Sequence, residues 1–227
     1  MSLAMRDLQL NSSELYLQQI LPELTPWEEK CRRAAESLEL ARISLSRSEA
    51  HLLRWVVQKS NAQKAVEIGT LTGLSGIYIL DGLHKKGQLW TFEKETKHAQ
   101  LAKPLIEEFA RVSSKSVELR VGDARLELPK INHLGPFDFI FIDGNKAAYL
   151  DYLDWAEGVT RQGSYLVADN VLLGGSLLNN ETQKEGINFS LKQREVMRAF
   201  NHRLLNSKIW KSVFVPTLEG FLIAERI

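Results

Sequence analysis

An internal disulfide is excluded in this chain, because it carries one cysteine, Cys31. Such usage fits a fold held by packing in a reducing compartment, so the reading is cytoplasmic, and Cys31, in an amphipathic stretch, reads as a small buried apolar residue. Neither sign of charge is in surplus: 29 Lys and Arg stand against 28 Asp and Glu, so no net field gathers a polyanion or an anionic membrane. No stretch approaches the roughly 20 apolar residues of a membrane span, and the first thirty residues lack a charged start followed by an apolar run. The few histidines, His51, His84, His98, His133 and His202, have no paired metal spacing and read as surface or capping residues. Two motifs are missing as well. There is no G-x-G-x-x-G, which argues against tight wrapping of a pyrophosphate, and Ser75 sits in Gly73-Leu74-Ser75-Gly76, which is not the G-x-S-x-G of a nucleophile elbow.

What remains is the balance of a globular chain, with 44% apolar and 25% charged residues among 227. A chain this long buries roughly 70% of its unfolded surface, and no repeat or composition break divides it. Residues 1–227 therefore read as one domain, with a helical segment over about 1–60 and an α/β core over about 61–227. Thr25-Pro26-Trp27-Glu28 and Ser46-Arg47-Ser48-Glu49 each place a capping hydroxyl three residues before a glutamate, the signature of a helix start.

From Lys64 onward short apolar runs alternate with amphipathic stretches. That alternation predicts a mostly parallel sheet covered by helices on both faces. Strands are expected at Ala65–Ile68, Gln88–Phe92, Val117–Val121, Phe137–Ile142 and Ser164–Ala168, and helices at Leu74–Leu83, Lys97–Arg111, Lys146–Glu157 and Leu191–Leu205. Two last runs, about Ile209–Val215 and Gly220–Ala224, flank Pro216 and read as a closing antiparallel pair. The polar stretch from Gly174 to Ser190 has the length of a functional lid.

The chemistry-bearing residues fall at the ends of the expected strands. Glu67-Ile68-Gly69-Thr70-Leu71-Thr72-Gly73-Leu74-Ser75-Gly76 leads from the first strand into a helix with the spacing G-x-x-x-G-x-x-G, which suits close approach to a ligand without phosphate. Glu93, at the end of the second strand, can accept both hydroxyls of a ribose. Asp123, after the third, can receive an adenine amino group. Asp143, Asp169 and Asn170 follow strands four and five. Open parallel sheets bind ligands at this edge, so the three should converge beside the glycine turn. Two carboxylates and an amide oxygen suit a hard cation, Mg, Mn or Ca, over Zn. Residues alone leave a simpler role open, since aspartates at strand ends also cap helices.

The runs Val66 to Gly76, Phe137 to Lys146 and Val167 to Gly175 resemble the cation-dependent, class I S-adenosylmethionine O-methyltransferases, the family of catechol and caffeoyl-coenzyme A O-methyltransferases and their small bacterial relatives. The resemblance runs from about Leu38 to the end. It implies a Rossmann-like, seven-stranded, mostly parallel sheet with an antiparallel closing strand. It also implies metal ligands at Asp143, Asp169 and Asn170, a base at Lys146, and cofactor contacts at Glu67, Gly69, Leu71 and Ser75 around the methionine portion, with Glu93 on the ribose and Asp123 and Ala124 near the adenine. Asp143 also borders the cofactor. A homodimer is implied too. The chain departs from the family pattern at three places: relatives usually read G-Y-S at Gly73-Leu74-Ser75, D-A-D-K at Asp143-Gly144-Asn145-Lys146 and N-V-L-W at Asn170-Val171-Leu172-Leu173.

The expected reaction is methyl transfer to a hydroxyl, which needs alignment of sulfur, methyl and oxygen, and an acceptor made anionic. Two neighbouring oxygens chelate a cation best, so a small catechol-like or vicinal-dihydroxy acceptor is expected. A lysine serves as base only when neutral, a form that burial and nearby positive charge favour. One alternative within the same family is a transfer RNA hydroxyuridine as acceptor, to which Lys184, Lys192, Arg194, Arg198 and Arg203 could offer a basic patch. A nicotinamide-dependent oxidoreductase, on the strength of the strand-turn-helix and Glu93, and a catalytically silent cofactor-binding protein are the remaining alternatives.

Overall fold

The computed structural model describes residues 16–17, 19–40, 43–177, 189–217 and 219–227. Residues 16–17 and 19–20 are helical, and two helices precede the sheet, α1 (Pro26–Ser37) and α2 (Arg47–Ser60), each beginning where the hydroxyl-to-glutamate spacing placed it. Thr25 with Glu28, and Ser46 with Glu49, form complete capping boxes in which the hydroxyl accepts the third amide and the glutamate accepts the amide of the cap.

Seven strands follow among the described residues: β1 (Lys64–Ile68), β2 (Gln88–Glu93), β3 (Ser116–Val121), β4 (Phe137–Ile142), β5 (Thr160–Ala168), β6 (Trp210–Val215) and β7 (Phe221–Arg226). They form one sheet in the order β3-β2-β1-β4-β5-β7-β6. The first five pair in parallel, while β7 runs antiparallel to both β5 and β6. Helices α3 (Leu74–Gly82), α4 (Thr96–Val112), α5 (Ala124–Glu127), α6 (Tyr149–Val159) and α7 (Leu191–Leu205) complete the layers.

Strand β4 explains why both faces must be covered. Phe139 and Phe141 pack with Leu53 and Val57 of α2 and Ile77 and Leu80 of α3. Ile140 and Ile142 point the other way and pack with Leu153 of α6 and Phe200 of α7. All of these are buried. At roughly 1.5–3 kcal/mol for each large apolar side chain removed from water, this one strand anchors two cores. Among the described residues, no helix is long and apolar enough to cross a membrane.

The differences from the expected boundaries have local causes. Strand β5 starts at Thr160, four residues early, because Thr160 pairs with Phe137 across an irregularity in the β4 register. Lys146–Ala148 form a turn of 3-10 helix before α6 begins at Tyr149, with Asn145 accepting the Ala147 amide. The segment from Ala124 to Leu134 was not expected to be ordered helix, yet it forms α5 and a 3-10 stretch. Most of the expected lid, 178–188, lies outside the described residues.

Strand order reverses between β1 and β4, with β2 and β3 on one side and β5 on the other. Connections therefore leave in opposite directions from this pair of strands, and a crevice opens beyond their carboxyl ends.

Candidate functional site

The crevice holds a cavity of about 340 Å³. The turn after β1 contributes Gly69 and Leu71, the end of β2 Glu93, and the turn after β3 Asp123 and Ala124. Asp143 and Lys146 enter from the end of β4, and Asn170 from the end of β5. Eight of the residues singled out from sequence thus meet at one place, and three others, Glu67, Ser75 and Asp169, do not line it.

Close approach dictates the glycine turn. Gly69 has φ +100°, and a Cβ there would lie 2.2 Å from the carbonyl oxygen of Asp143. The turn is thus pressed against the end of β4, fixed by the Gly69 amide donating to Phe92 O at 2.9 Å and the Asp143 amide to Ile68 O at 2.8 Å. Leu71 adopts a left-handed backbone, φ +49°. Its amide donates to Glu93 Oε2 at 2.8 Å, and the Glu95 amide donates to Glu93 Oε1 at 2.9 Å. A carboxylate offers about four acceptor positions. Glu93 is therefore held by two backbone amides and retains capacity for two hydroxyls.

Asp123 is more encumbered than its sequence position suggested. It accepts the Arg125 amide as the cap of α5, and the Arg125 guanidinium meets both its oxygens, at 3.1 and 2.7 Å. That hydrogen-bonded guanidinium holds the Asp123 carboxyl down at about 2.

A denser network joins β4 and β5. Lys146 is 9% exposed, so it is no surface lysine. Its Nζ donates to Asp143 Oδ1 at 2.7 Å, to Tyr149 Oη at 2.9 Å and to Asn170 Oδ1 at 2.5 Å. Asn170 reaches this point from a left-handed backbone, φ +58°, which asparagine tolerates better than most residues. Tyr149, fully buried, lies 2.9 Å from the carbonyl oxygen of Asp169 and 3.3 Å from that of Ile142. Burial, with the Asp143 and Asp169 carboxylates nearby, pushes its phenol well above the ordinary value, so it stays a neutral hydroxyl.

The helix-cap alternative for the strand-end aspartates is not realised. Asn145 caps the turn after β4, and Asp169 Oδ1 accepts the amide of Asn170 at 2.6 Å. Asp143 and Asn170 instead direct oxygens from different strands at one positive group, which is what a cation-binding donor set must do. Asp169 is fully buried next to that point. The residues therefore fit a hard cation by donor chemistry and by the convergence of two donors. Among the described residues no three His, Cys, Asp or Glu side chains cluster to hold a metal, here or elsewhere, so the candidate set depends on the amide oxygen of Asn170 beside two carboxylates.

Glu67 and Ser75 sit beneath the turn rather than in the cavity. Glu67 is fully buried, its Oε2 accepts the Thr91 hydroxyl at 2.6 Å, and Ser75 also hydrogen-bonds to it. Burial, reinforced by Asp143 and Glu93, pushes its carboxyl up to about 7 against these hydrogen bonds. The sequence resemblance put both residues at the methionine portion of a cofactor. Both are buried beside the turn, and neither lines the cavity.

Other expectations need correction. His98, read as a surface or capping residue, lines the cavity. It lies five residues beyond Glu93 in the first turn of α4, a spacing that returns a side chain to the same sheet edge. Tyr149, three residues after Lys146, was not singled out either; a phenol at that helical spacing was its only signal. Of the basic patch, Arg203 is neutralised by Asp154 and Glu157, both at 2.5 Å, and Lys184 lies outside the described residues.

Comparison with known proteins gives a family and a matching fold. A family model described as O-methyltransferase matches residues 18–227. A catechol O-methyltransferase of Niastella koreensis is 32% identical over 184 residues, 80% of this chain and 81% of that protein. The crystal structure of the O-methyltransferase TomG of Streptomyces achromogenes, in complex with S-adenosylmethionine, superposes with a TM-score of 0.81 at 27% identity, covering 95% of this chain and 96% of that one. An O-methyltransferase of Bacillus cereus in complex with S-adenosylhomocysteine gives 0.83 at 27% identity, covering 95% and 97%.

Proposed function

Because the chain belongs to the O-methyltransferase family, we propose that its strand-end cavity transfers a methyl group from S-adenosylmethionine to one hydroxyl of a small catechol-like or vicinal-dihydroxy acceptor, with a divalent cation, Mg before Mn or Ca, held by Asp143, Asp169 and Asn170. The chain is an S-adenosylmethionine-dependent O-methyltransferase, which sets aside the nicotinamide and silent-protein alternatives. The acceptor class and the cation are our reading. The observation that carries it is the meeting of Asp143 Oδ1, Asn170 Oδ1 and Tyr149 Oη at Lys146 Nζ.

When bound, the cofactor supplies an electrophilic methyl on a sulfonium sulfur, and the cation supplies positive charge that favours the ionised form of an acceptor hydroxyl. The chain's own residues do the rest. Gly69 and Leu71 let the backbone approach the ligand, and Glu93, oriented by two amides, accepts its ribose hydroxyls. Ala124 and Asp123 border the adenine end. Glu67 and Ser75 support the turn from below.

Lys146 takes the acceptor's proton at Nζ. Tyr149 Oη fixes that nitrogen: donating its own hydrogen to the Asp169 or Ile142 carbonyl, the phenol can only accept from lysine, so one Nζ hydrogen is committed to it. On the family resemblance the working unit is a homodimer, and the single cysteine, Cys31, fits a cytoplasmic setting.

Incubation with methyl-labelled S-adenosylmethionine, Mg and a panel of diphenols tests the reading. Labelled monomethyl ethers should form, stop forming when EDTA is added, and fall at least a hundredfold in Lys146→Met. Absence of transfer to every diphenol would overturn the acceptor class, and full activity in EDTA would overturn the cation.

A further inference from the structure

The cavity contains an imidazole that meets a carboxylate but, among the described residues, makes no hydrogen bond. His98 is 21% exposed, lines the cavity, and holds Nδ1 3.6 Å from Glu93 Oε1. That separation is too long for a hydrogen bond. Among the described residues neither nitrogen of the ring has another hydrogen-bond partner, while Glu93 is already fixed from behind by the Leu71 and Glu95 amides. Carboxylate and imidazole thus stand side by side at the edge of the cavity, and neither satisfies the other.

We infer that His98 and Glu93 together read the ribose of the cofactor, Glu93 accepting from a hydroxyl and His98 donating to the same hydroxyl or its neighbour. The inference rests on the reading of this cavity as the S-adenosylmethionine site. Its chemistry follows from what each group can do. A ribose hydroxyl is both donor and acceptor, and an ionised carboxylate only accepts. Glu93 alone would leave the oxygen lone pairs of a bound diol without a donor. A neutral imidazole offers one N–H and one acceptor nitrogen, so a ring beside the carboxylate supplies the missing half. A hydroxyl hydrogen-bonded to Oε1 would stand within reach of a nitrogen that is itself 3.6 Å from that oxygen. His98 is held there by the first turn of α4, which begins three residues after Glu93.

Calorimetric titration of the full chain with S-adenosylhomocysteine and with its 2′-deoxy and 3′-deoxy analogues tests the assignment. The unchanged chain should prefer the complete ribose. His98→Ala should weaken S-adenosylhomocysteine roughly fivefold to tenfold, as loss of one hydrogen bond does. The same substitution should cost less than twofold against the analogue that lacks the hydroxyl read by the ring. His98→Gln, which keeps an N–H donor, should recover most of the loss. An equal loss against all three ligands, or none, overturns the role of His98. Equal affinity of the unchanged chain for all three overturns the ribose reading of Glu93 as well.

Discussion

Substituting three glycines in turn separates close approach from backbone strain. Gly158, within α6, has no positive φ, and a Cβ there would meet nothing within 4 Å beyond its own helix backbone and chain neighbours. Gly158→Ala should stabilise the chain by about 0.5 kcal/mol, through helix propensity and a less flexible unfolded state. Gly163 has φ +83° but also nothing within 4 Å, so Gly163→Ala should show the left-handed backbone alone, about 1–2 kcal/mol of destabilisation. Gly69 has φ +100° and would place its Cβ 2.2 Å from Asp143 O and 2.8 Å from Asp143 C. That contact is with backbone, which cannot rotate aside, and overpacking of this kind adds roughly 1–3 kcal/mol. Gly69→Ala should therefore be destabilised by about 4 kcal/mol. Because the atoms that must yield belong to Asp143, methyl transfer should fall with stability. Urea denaturation at constant m-value measures all three. A Gly69→Ala midpoint within about 1 kcal/mol of Gly163→Ala would show that the end of β4 is not pressed against the turn, and the account of this junction would fail.

Tyr149→Phe removes the acceptor that fixes Lys146 Nζ and leaves a buried carbonyl without its donor; it should cost about 1–3 kcal/mol in denaturation and at least tenfold in kcat, with the calorimetric affinity for S-adenosylhomocysteine held within about twofold. Glu67 has its carboxyl raised from 4.5 to about 7, so the folded state binds more protons than the unfolded one over that interval. Its contribution is complete below pH 4.5 and is lost as pH rises through 7, a difference on the order of 3 kcal/mol that Glu67→Gln should abolish in denaturation series at pH 5 and pH 8. Burial pushes the Cys31 thiol up to about 12, so a thiol-specific chromogenic reagent should leave the native chain unlabelled and react once per chain in denaturant.

Which features could be read in advance depended on whether local chemistry or distant pairing decides them. Phe137–Ile142 was legible end to end, because six residues almost continuously apolar, short and rich in Phe and Ile, favour a strand buried on both faces over a helix. The starts of α1 and α2 were legible because their caps are closed by residues three positions apart. The first residues of β5, Thr-Arg-Gln-Gly, are polar and look like a turn; they join the sheet only because Thr160 finds Phe137 across the irregular register. The same division holds at the site. Glycine turn and strand-end acids stand out because the parallel sheet brings all its carboxyl ends to one edge. His98 and Tyr149 act through where a helix turn carries them relative to a neighbouring strand.

Depth was the property least visible in sequence, and it governs the electrostatics of the site. Glu67, Glu93, Asp143 and Asp169 all appear as acids near strand ends, yet Glu67 and Asp169 are fully buried while Asp143 and Glu93 face the cavity. Among the described residues Lys146 is hydrogen-bonded to Asp143, and Lys94 also lines the cavity. Burial is what chiefly pushes the Glu67 carboxyl upward, and the neighbouring Asp143 and Glu93 carboxylates add to it by like-charge repulsion. Positive charge brought from outside would relieve the surplus. A sulfonium in the cavity and a divalent cation at Asp143, Asp169 and Asn170 would each relieve it, so the two ligands should assist each other. S-adenosylmethionine should then bind more tightly when Glu67 is ionised, at pH 8, than at pH 6, whereas the uncharged thioether S-adenosylhomocysteine should gain less over the same interval. Parallel calorimetric titrations at the two pH values measure the difference. Equal gains for both ligands would mean that the buried carboxylates do not sense the sulfonium charge.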